Sequence, residues 1–241
     1  MHGRWETPQS YLRETLWSDA PVSHIVVTPP VPSFPLNPDK ADWSVWDFPD
    51  VVDHWNFPGY EGKKMTVSVY SNCEQVELFL NGESLGKQEN TADKKNTLVW
   101  EVPYAHGILK AVSYNKGGEV GTATLESAGK VEKIRLSADR TEIVADGNDL
   151  SYITLELVDS KGIRNQLAEE LVEFSIEGDA TIEGVGNANP MSIESFVANS
   201  RKTWRGSNLL VVRSGKSSGR IIVTAKVKAL PVASITITQK K

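Results

Sequence analysis

Residues 51–86 read VVDHWNFPGYEGKKMTVSVYSNCEQVELFLNGESLG, and this stretch decides the fold. Its second half alternates. Met65, Val67 and Val69 interleave with Thr66, Ser68 and Tyr70, and Val76, Leu78 and Leu80 resume the pattern after a break. A period of two puts one row of side chains on each face of an extended chain, so these are half-buried strands. Asn81-Gly82 closes the second run, and because both residues accept positive φ the pair is the strongest short hairpin signal. The first half is a Trp-, Pro- and Gly-rich approach loop.

Upstream, residues 7–17 are the one good helix candidate. Thr7 suits the N-cap, Pro8 the first helical position, and Leu12 and Leu16 fall on one face. Residues 20–62 are rich in Pro, Asp and Trp. A short strand is expected at 25–28, followed by five prolines between Pro29 and Pro38, a density that blocks helix and central strand alike. A connector of that length lies against something, with Trp43, Trp46, Phe48, Trp55 and Phe57 as its adhesive surface.

Downstream, strands are expected at 97–102, 108–114 and 120–126, with a turn at Lys116-Gly117-Gly118. Alternation stops at Ser127-Ala128-Gly129 and restarts at Val131, which puts a boundary between Glu126 and Lys133. Ile153, Leu155 and Leu157, then Val172, Phe174 and Ile176, then 209–212, 221–227 and 234–238 form a second set. Residues 187–203 are its longest stretch without alternation. The expected fold is all-β: two consecutive immunoglobulin-like β-sandwich domains with a short N-terminal helix and a Pro/Trp-rich connector. The divisions are 1–62 for helix and connector, 63–128 for the first sandwich and 129–241 for the second.

The chain has 241 residues, enough for two cores, with 39% hydrophobic and 24% charged residues. A net charge of −5 gives no electrostatic reason to expect nucleic acid or an anionic membrane as partner. No apolar run approaches the roughly 18–20 residues of a membrane span. The opening MHGRWETPQS has no apolar h-region. The single cysteine, Cys73, excludes an intrachain disulfide and a cysteine zinc site, and is read as a small buried or edge residue.

The 51–86 run resembles the region just after the catalytic barrel in bacterial glycoside hydrolase family 2 enzymes, the β-galactosidase and β-glucuronidase relatives. There D-V-V-D-H-W-N-[WF]-P-G-Y-E-G leads into a sandwich with V-E-L-F-L-N-G-x-S-L-G. The segment WETPQSYLRETLW is similar to the last helix of that barrel, with Tyr11 and Trp17 matching and Gln9 where a basic residue is usual. The phrase LSADRTEIVADGNDLSYITLELVDSKG resembles bacterial Ig-like domains of the invasin/intimin type and also the domain that follows the first sandwich in family 2. Residues 184–190, Glu194, Phe196, Arg201-Lys202, Gly206 and 209–215 match that domain's ending. Together the resemblances cover nearly all of residues 5–240.

They imply a C-terminal accessory part of a family 2 enzyme of β-galactosidase type, with 1–62 as barrel tail and connector. In the family both catalytic glutamates lie upstream of the barrel helix, so no catalytic residue is assigned here. A retaining glycosidase needs two carboxylates about 5–5.5 Å apart, and the pairs visible in this chain fit strand surfaces and turns. The implied partners are the parent's catalytic barrel, carbohydrate and a homo-oligomer, with no nucleic acid and no membrane, and the implied location is periplasmic or secreted.

No metal or cofactor is assigned, since His2, His24, His54 and His106 are scattered. Gly184-Val185-Gly186-Asn187 leads to Pro190 instead of a helix and reads as a tight turn. Asp146-Gly147-Asn148-Asp149 lacks the full calcium-loop spacing and reads as a hairpin turn. The candidates for substrate contact in the parent are Trp43, Trp46, His54 and Trp55. Indole rings there could stack on sugar, or glue the connector to its neighbours. Two other classes stay open. A carbohydrate-binding module would need a planar row of exposed aromatics, for which Tyr70, Phe79 and Tyr114 are available. An adhesin-like surface Ig module would show tandem repeats, and residues 131–241 occur only once.

Overall fold

The computed structural model describes residues 8–33 and 49–241. Thr7, Trp43, Trp46 and Phe48 fall outside them. The chain divides between Ser127 and Ala128 into two compact units.

The first unit holds α1 (Pro8–Trp17), β1 (Ser23–Val27), β2 (Lys64–Ser71), β3 (Gln75–Leu80), β4 (Glu83–Glu89), β5 (Thr97–Pro103), β6 (Ile108–Asn115) and β7 (Gly118–Glu126). Two antiparallel sheets, ordered β1-β2-β5 and β4-β3-β6-β7, enclose a core of Val67, Val69, Val76, Leu78, Leu98, Val102, Leu109 and Ala111. Asn81 (φ 52°) and Gly82 (φ 87°) turn β3 into β4 with the two positive φ values of a type I′ turn. The Asn81 side chain also accepts the Ile108 N–H at 2.8 Å, which ties the hairpin to β6. Strand β4, ESLGKQE, has no apolar alternation to read. It pairs only with β3, and an edge strand with little buried surface tolerates that composition.

The approach loop is part of this core. Val27 and Val52 exchange backbone hydrogen bonds of 2.9 Å, extending β1 with residues the sequence assigns to a connector. Trp55 is fully buried and donates its indole N–H to the Ala105 carbonyl at 2.8 Å. The Ser127 hydroxyl, at the far end of the unit's sequence, donates to the Trp55 carbonyl. Trp55, Phe57 and Tyr104 meet edge to face, with Trp55–Tyr104 centroids 4.9 Å apart and Phe57–Tyr104 5.7 Å. The expected division at residue 62 is therefore corrected: helix, β1 and loop belong to one unit with the first sandwich. Of the aromatics that look adhesive in sequence, Trp55 and Phe57 find their covering surface within the sandwich itself.

The second unit holds β8 (Lys133–Ala138), β9 (Glu142–Val144), β10 (Leu150–Val158), β11 (Leu171–Glu177), β12 (Ala180–Gly186), β13 (Ser200–Lys202), β14 (Ser207–Ser214), β15 (Gly219–Val227) and β16 (Ala233–Lys240). Its sheets run β12-β14-β10-β8 and β13-β11-β15-β16-β9. Ile153, Leu155, Leu157, Val172, Phe174, Leu210, Val212, Ile221, Val223 and Ile237 fill the space between. Each such side chain contributes about 1.5–3 kcal/mol by leaving water.

Two turn readings are corrected here. Gly184, Val185 and Gly186 finish β12, past a register shift between Ile182 and Gly184. The Val185 N–H donates to the Phe196 carbonyl at 2.8 Å, and a Cβ on Gly184 would lie 3.2 Å from that same oxygen. Asp146–Asp149 is no hairpin, because β9 pairs in parallel with β16 while β10 belongs to the other sheet. The turn carries the chain between sheets. Its shape is held by Asp146, whose carboxylate accepts the N–H groups of Asn148 (2.7 Å) and Asp149 (2.9 Å).

Asp159 anchors the start of the second unit. Its buried carboxylate accepts N–H groups from Gly129 (2.8 Å), Ile163 (2.9 Å) and Lys161 (3.0 Å). Burial alone would push this carboxyl up, but the N–H donors outweigh it and hold it below the usual carboxylate range. A lowered folded pKa stabilises the fold above the unfolded value, and the benefit is lost as pH falls through the folded value. Asp159→Asn is expected to destabilise the second unit by about 1–3 kcal/mol at neutral pH, leaving the first unchanged. The deficit should shrink below about pH 4. Thermal unfolding at pH 7 and pH 3 checks both.

Candidate functional site

Of the four substrate-contact candidates, the described residues include His54 and Trp55. Trp43 and Trp46 lie outside the described residues. Trp55 has no ring face left for a sugar, because both faces are taken up in the core. The hydrogen bond on its indole N–H, with Phe57 and Tyr104 packed against it, makes it a structural residue. His54 is half-buried. Its Nδ1 accepts the Asn56 N–H at 3.2 Å and its ring lies 4.9 Å from Phe57, so it shapes the turn that inserts the tryptophan.

The loop's polar residues instead grip α1. Asp53 accepts a 3.3 Å hydrogen bond from the Tyr11 hydroxyl. The Tyr11 ring stacks on His24 at 4.1 Å with planes 6° apart, and His24 Nε2 lies 2.7 Å from the Glu14 carboxylate. Tyr11 and Leu12 pack on Val26, Val51 and Tyr70. Further along the helix, the Asn96 amide donates to the Thr15 hydroxyl (3.2 Å) and carbonyl (3.3 Å). The gripped positions are thus 11, 12 and 15. Beyond them, Leu16 is 64% exposed and Trp17 84% exposed.

A glycosidase acid must hold its proton near neutral pH, which takes burial or a neighbouring negative charge. Among the described residues, every carboxylate with a marked shift moves the other way: Asp93, Asp146, Asp149, Asp159, Asp179 and Glu194 are all lowered. The Thr91 side chain is the main cause at Asp93, and backbone N–H groups supply the main lowering at the other five, against the opposing effect of burial. Asp179, for example, accepts from Ser217 (2.8 Å) and Lys216 (3.0 Å). Such carboxylates fasten loops. No group of three or more His, Cys, Asp or Glu among the described residues could hold a metal ion.

Among the described residues, Tyr70, Phe79 and Tyr114 do not form the row of aromatics that a carbohydrate-binding face would need. Tyr70 is buried beneath α1. Phe79 and Tyr114 lie on the outer face of the β4-β3-β6-β7 sheet, but the Lys87 ammonium sits 3.5 Å over the Tyr114 ring.

The segment between β12 and β13 is built around one buried cation. Arg201, fully buried, donates through Nη1 to the carbonyls of Val185 (3.2 Å) and Glu194 (3.1 Å) and through Nη2 to the Ser192 hydroxyl (3.2 Å). Its guanidinium lies 4.2 Å from the Phe196 ring. Glu194 accepts the Lys202 N–H at 3.1 Å and the Ser192 hydroxyl at 3.0 Å. Asn187 and Asn189 each accept an N–H from two residues on, at 3.0 Å. With the polar groups turned inward, Met191, Ile193, Phe196 and Val197 face solvent. In the sequence this segment stands out by its lack of strand alternation and by Glu194, Phe196 and Arg201-Lys202, which match the family's ending.

Residues 134–236 match the family described as glycoside hydrolase family 2 C-terminal domain 5, and residues 62–121 match a domain of unknown function, DUF4982. A solved glycosyl hydrolase family 2 member from Bacteroides cellulosilyticus is similar over 96% of this chain and 30% of its own, with 95% identity and a TM-score of 0.91. The β-galactosidase BoGH2A of Bacteroides ovatus is 32% identical over 84% of this chain and 24% of its own length. A β-glucuronidase of Formosa agariphila is 30% identical over 82% and 20%. The chain spans about a quarter of the length of the curated relatives it matches.

The Arg201 anchor is directly testable. Arg201→Met should leave carbonyls unpaired and destabilise the second unit by about 1–3 kcal/mol. Amide exchange across residues 187–199 should accelerate while the first unit keeps its rates. Unchanged exchange in that loop would show that the arginine does not organise it.

Proposed function

Because this chain is the C-terminal region of a glycoside hydrolase family 2 enzyme, we propose that it is the non-catalytic support of a retaining β-galactosidase-type parent. The barrel and both catalytic glutamates belong to the rest of that parent, and the two sandwiches brace the barrel. The observation that carries this reading is the state of α1. Tyr11, Leu12 and Thr15 fasten it to the first sandwich, while Leu16 and Trp17 stand out on its free side. A large exposed indole next to an exposed leucine, on a helix held this firmly, suits a surface that another part of the protein covers.

The 241-residue chain is expected to release no nitrophenol from nitrophenyl β-galactoside or β-glucuronide between about pH 4 and pH 8, because acid–base help of roughly 10²–10⁴-fold requires a donor held at the glycosidic oxygen. In the intact parent, which is expected to be active, Leu16→Ser with Trp17→Ser should lower the thermal midpoint without changing that of the 241-residue chain. Hydrolysis by the purified chain that disappears when one of its own carboxylates becomes alanine would overturn the proposal.

A further inference from the structure

The tip of the β12–β13 loop combines two properties that rarely coincide. Its side chains are apolar and open to water: Met191 is 70% exposed, Phe196 61%, Ile193 completely and Val197 nearly so. Its backbone is nevertheless held in place from within by Arg201, Glu194, Asn187 and Asn189. The ordering entropy that a floppy loop would lose on binding is therefore already lost in the free chain. We propose that this tip is a second docking surface, on the second sandwich, covered in the intact enzyme by the part of the same polypeptide that lies outside this chain. The inference rests on the support role above and adds the face through which the second sandwich takes part in it.

Charge narrows the class of partner. Glu194 is the sole charged residue in 187–199, and its carboxylate is turned inward onto Lys202 N–H and Ser192. Residues 187–199 themselves carry no cation for an acidic polysaccharide or an anionic membrane, and the one at their border is the exposed Lys202. The acceptor oxygens of Asn187 and Asn189, which a sugar hydroxyl could use, are occupied by the loop's own N–H groups. What remains is a dry apolar contact with folded protein.

Area then separates a second copy from the rest of the same chain. Four side chains fall well short of the roughly 800 Å² per partner of a stable free interface. A covalently attached partner works at roughly millimolar effective concentration, where a small patch is enough. Such a partner is available in the 95% identical solved protein, where this region is 30% of the chain and the other 70% lies outside it.

Hydroxyl-radical footprinting of the intact parent against the 241-residue chain tests this. Met191 and Phe196 should lose about tenfold in oxidation rate in the intact protein, the drop from mostly exposed to interface core. Trp17 reports separately on the helix. If Trp17 is protected but Met191 and Phe196 are not, the support role stands and this inference falls; if none is protected, both fall. Protection of the tip in the 241-residue chain on raising its concentration would identify a second copy and overturn the proposal. So would protection in the intact protein that appears only with added polysaccharide. Ile193→Glu in the intact parent should return Met191 and Phe196 to the rates of the 241-residue chain. Val197→Ser should do so in part, and serves if the glutamate variant fails to fold. Rates that stay low in both variants would contradict the docking surface.

Discussion

The burial of Trp55 is the constraint on which the first unit depends. An indole cannot be left in an apolar core with its N–H unpaired, so the loop must deliver the ring and a hydrogen-bond acceptor together. Ala105 supplies that acceptor, Phe57 and Tyr104 close around the ring, and Ser127 holds the Trp55 carbonyl. Those contacts join residues from three distant parts of the unit's sequence. They also place Val51, Val52 and Asp53 where they can pair with β1 and hold Tyr11. The position of α1, and with it the exposed Leu16–Trp17 edge, follows from where one tryptophan is seated.

The second unit relies on polar anchoring around a conventional apolar core. Asp159 and Asp179 gather backbone N–H groups from loop residues, Glu194 accepts the Lys202 N–H of β13, and Arg201 holds the Val185 and Glu194 carbonyls and the Ser192 hydroxyl. Charge-assisted bonds of this kind are stronger than neutral ones and fix loops that the sheets themselves do not reach. Carboxylates committed in this way are poor acids and poor bases at neutral pH. The same electrostatics that stabilise the loops thus argue against chemistry in them.

Strands with clean alternation, such as β2, β3, β10 and β11, were legible in the sequence because one face is buried and the other is wet. Strand β4 was not, since an edge strand of ESLGKQE buries too little to show a period. Strands β12 and β13 were hidden by glycine and by brevity. The approach loop was readable as a resemblance but misread as a connector, because aromatic composition says that a segment is covered and not by what. For the candidate site, Trp55 could be read either as a sugar-stacking ring or as packing for the connector, and it lies in the core. The apolar tip at Met191–Val197 had no strand or helix period, and only the inward course of its polar bonds distinguishes it from an ordinary loop.

The most direct test of this account is the unfolding of Trp55→Ala within the 241-residue chain, followed with probes in each unit. Losing a buried aromatic of this size costs about 3–5 kcal/mol. The first unit's midpoint should therefore fall by roughly 10–20 °C, with the α1 segment opening first and the second unit melting as before. An unchanged first-unit midpoint would mean that Trp55 does not seat the loop. It would then be free to serve as a surface ring.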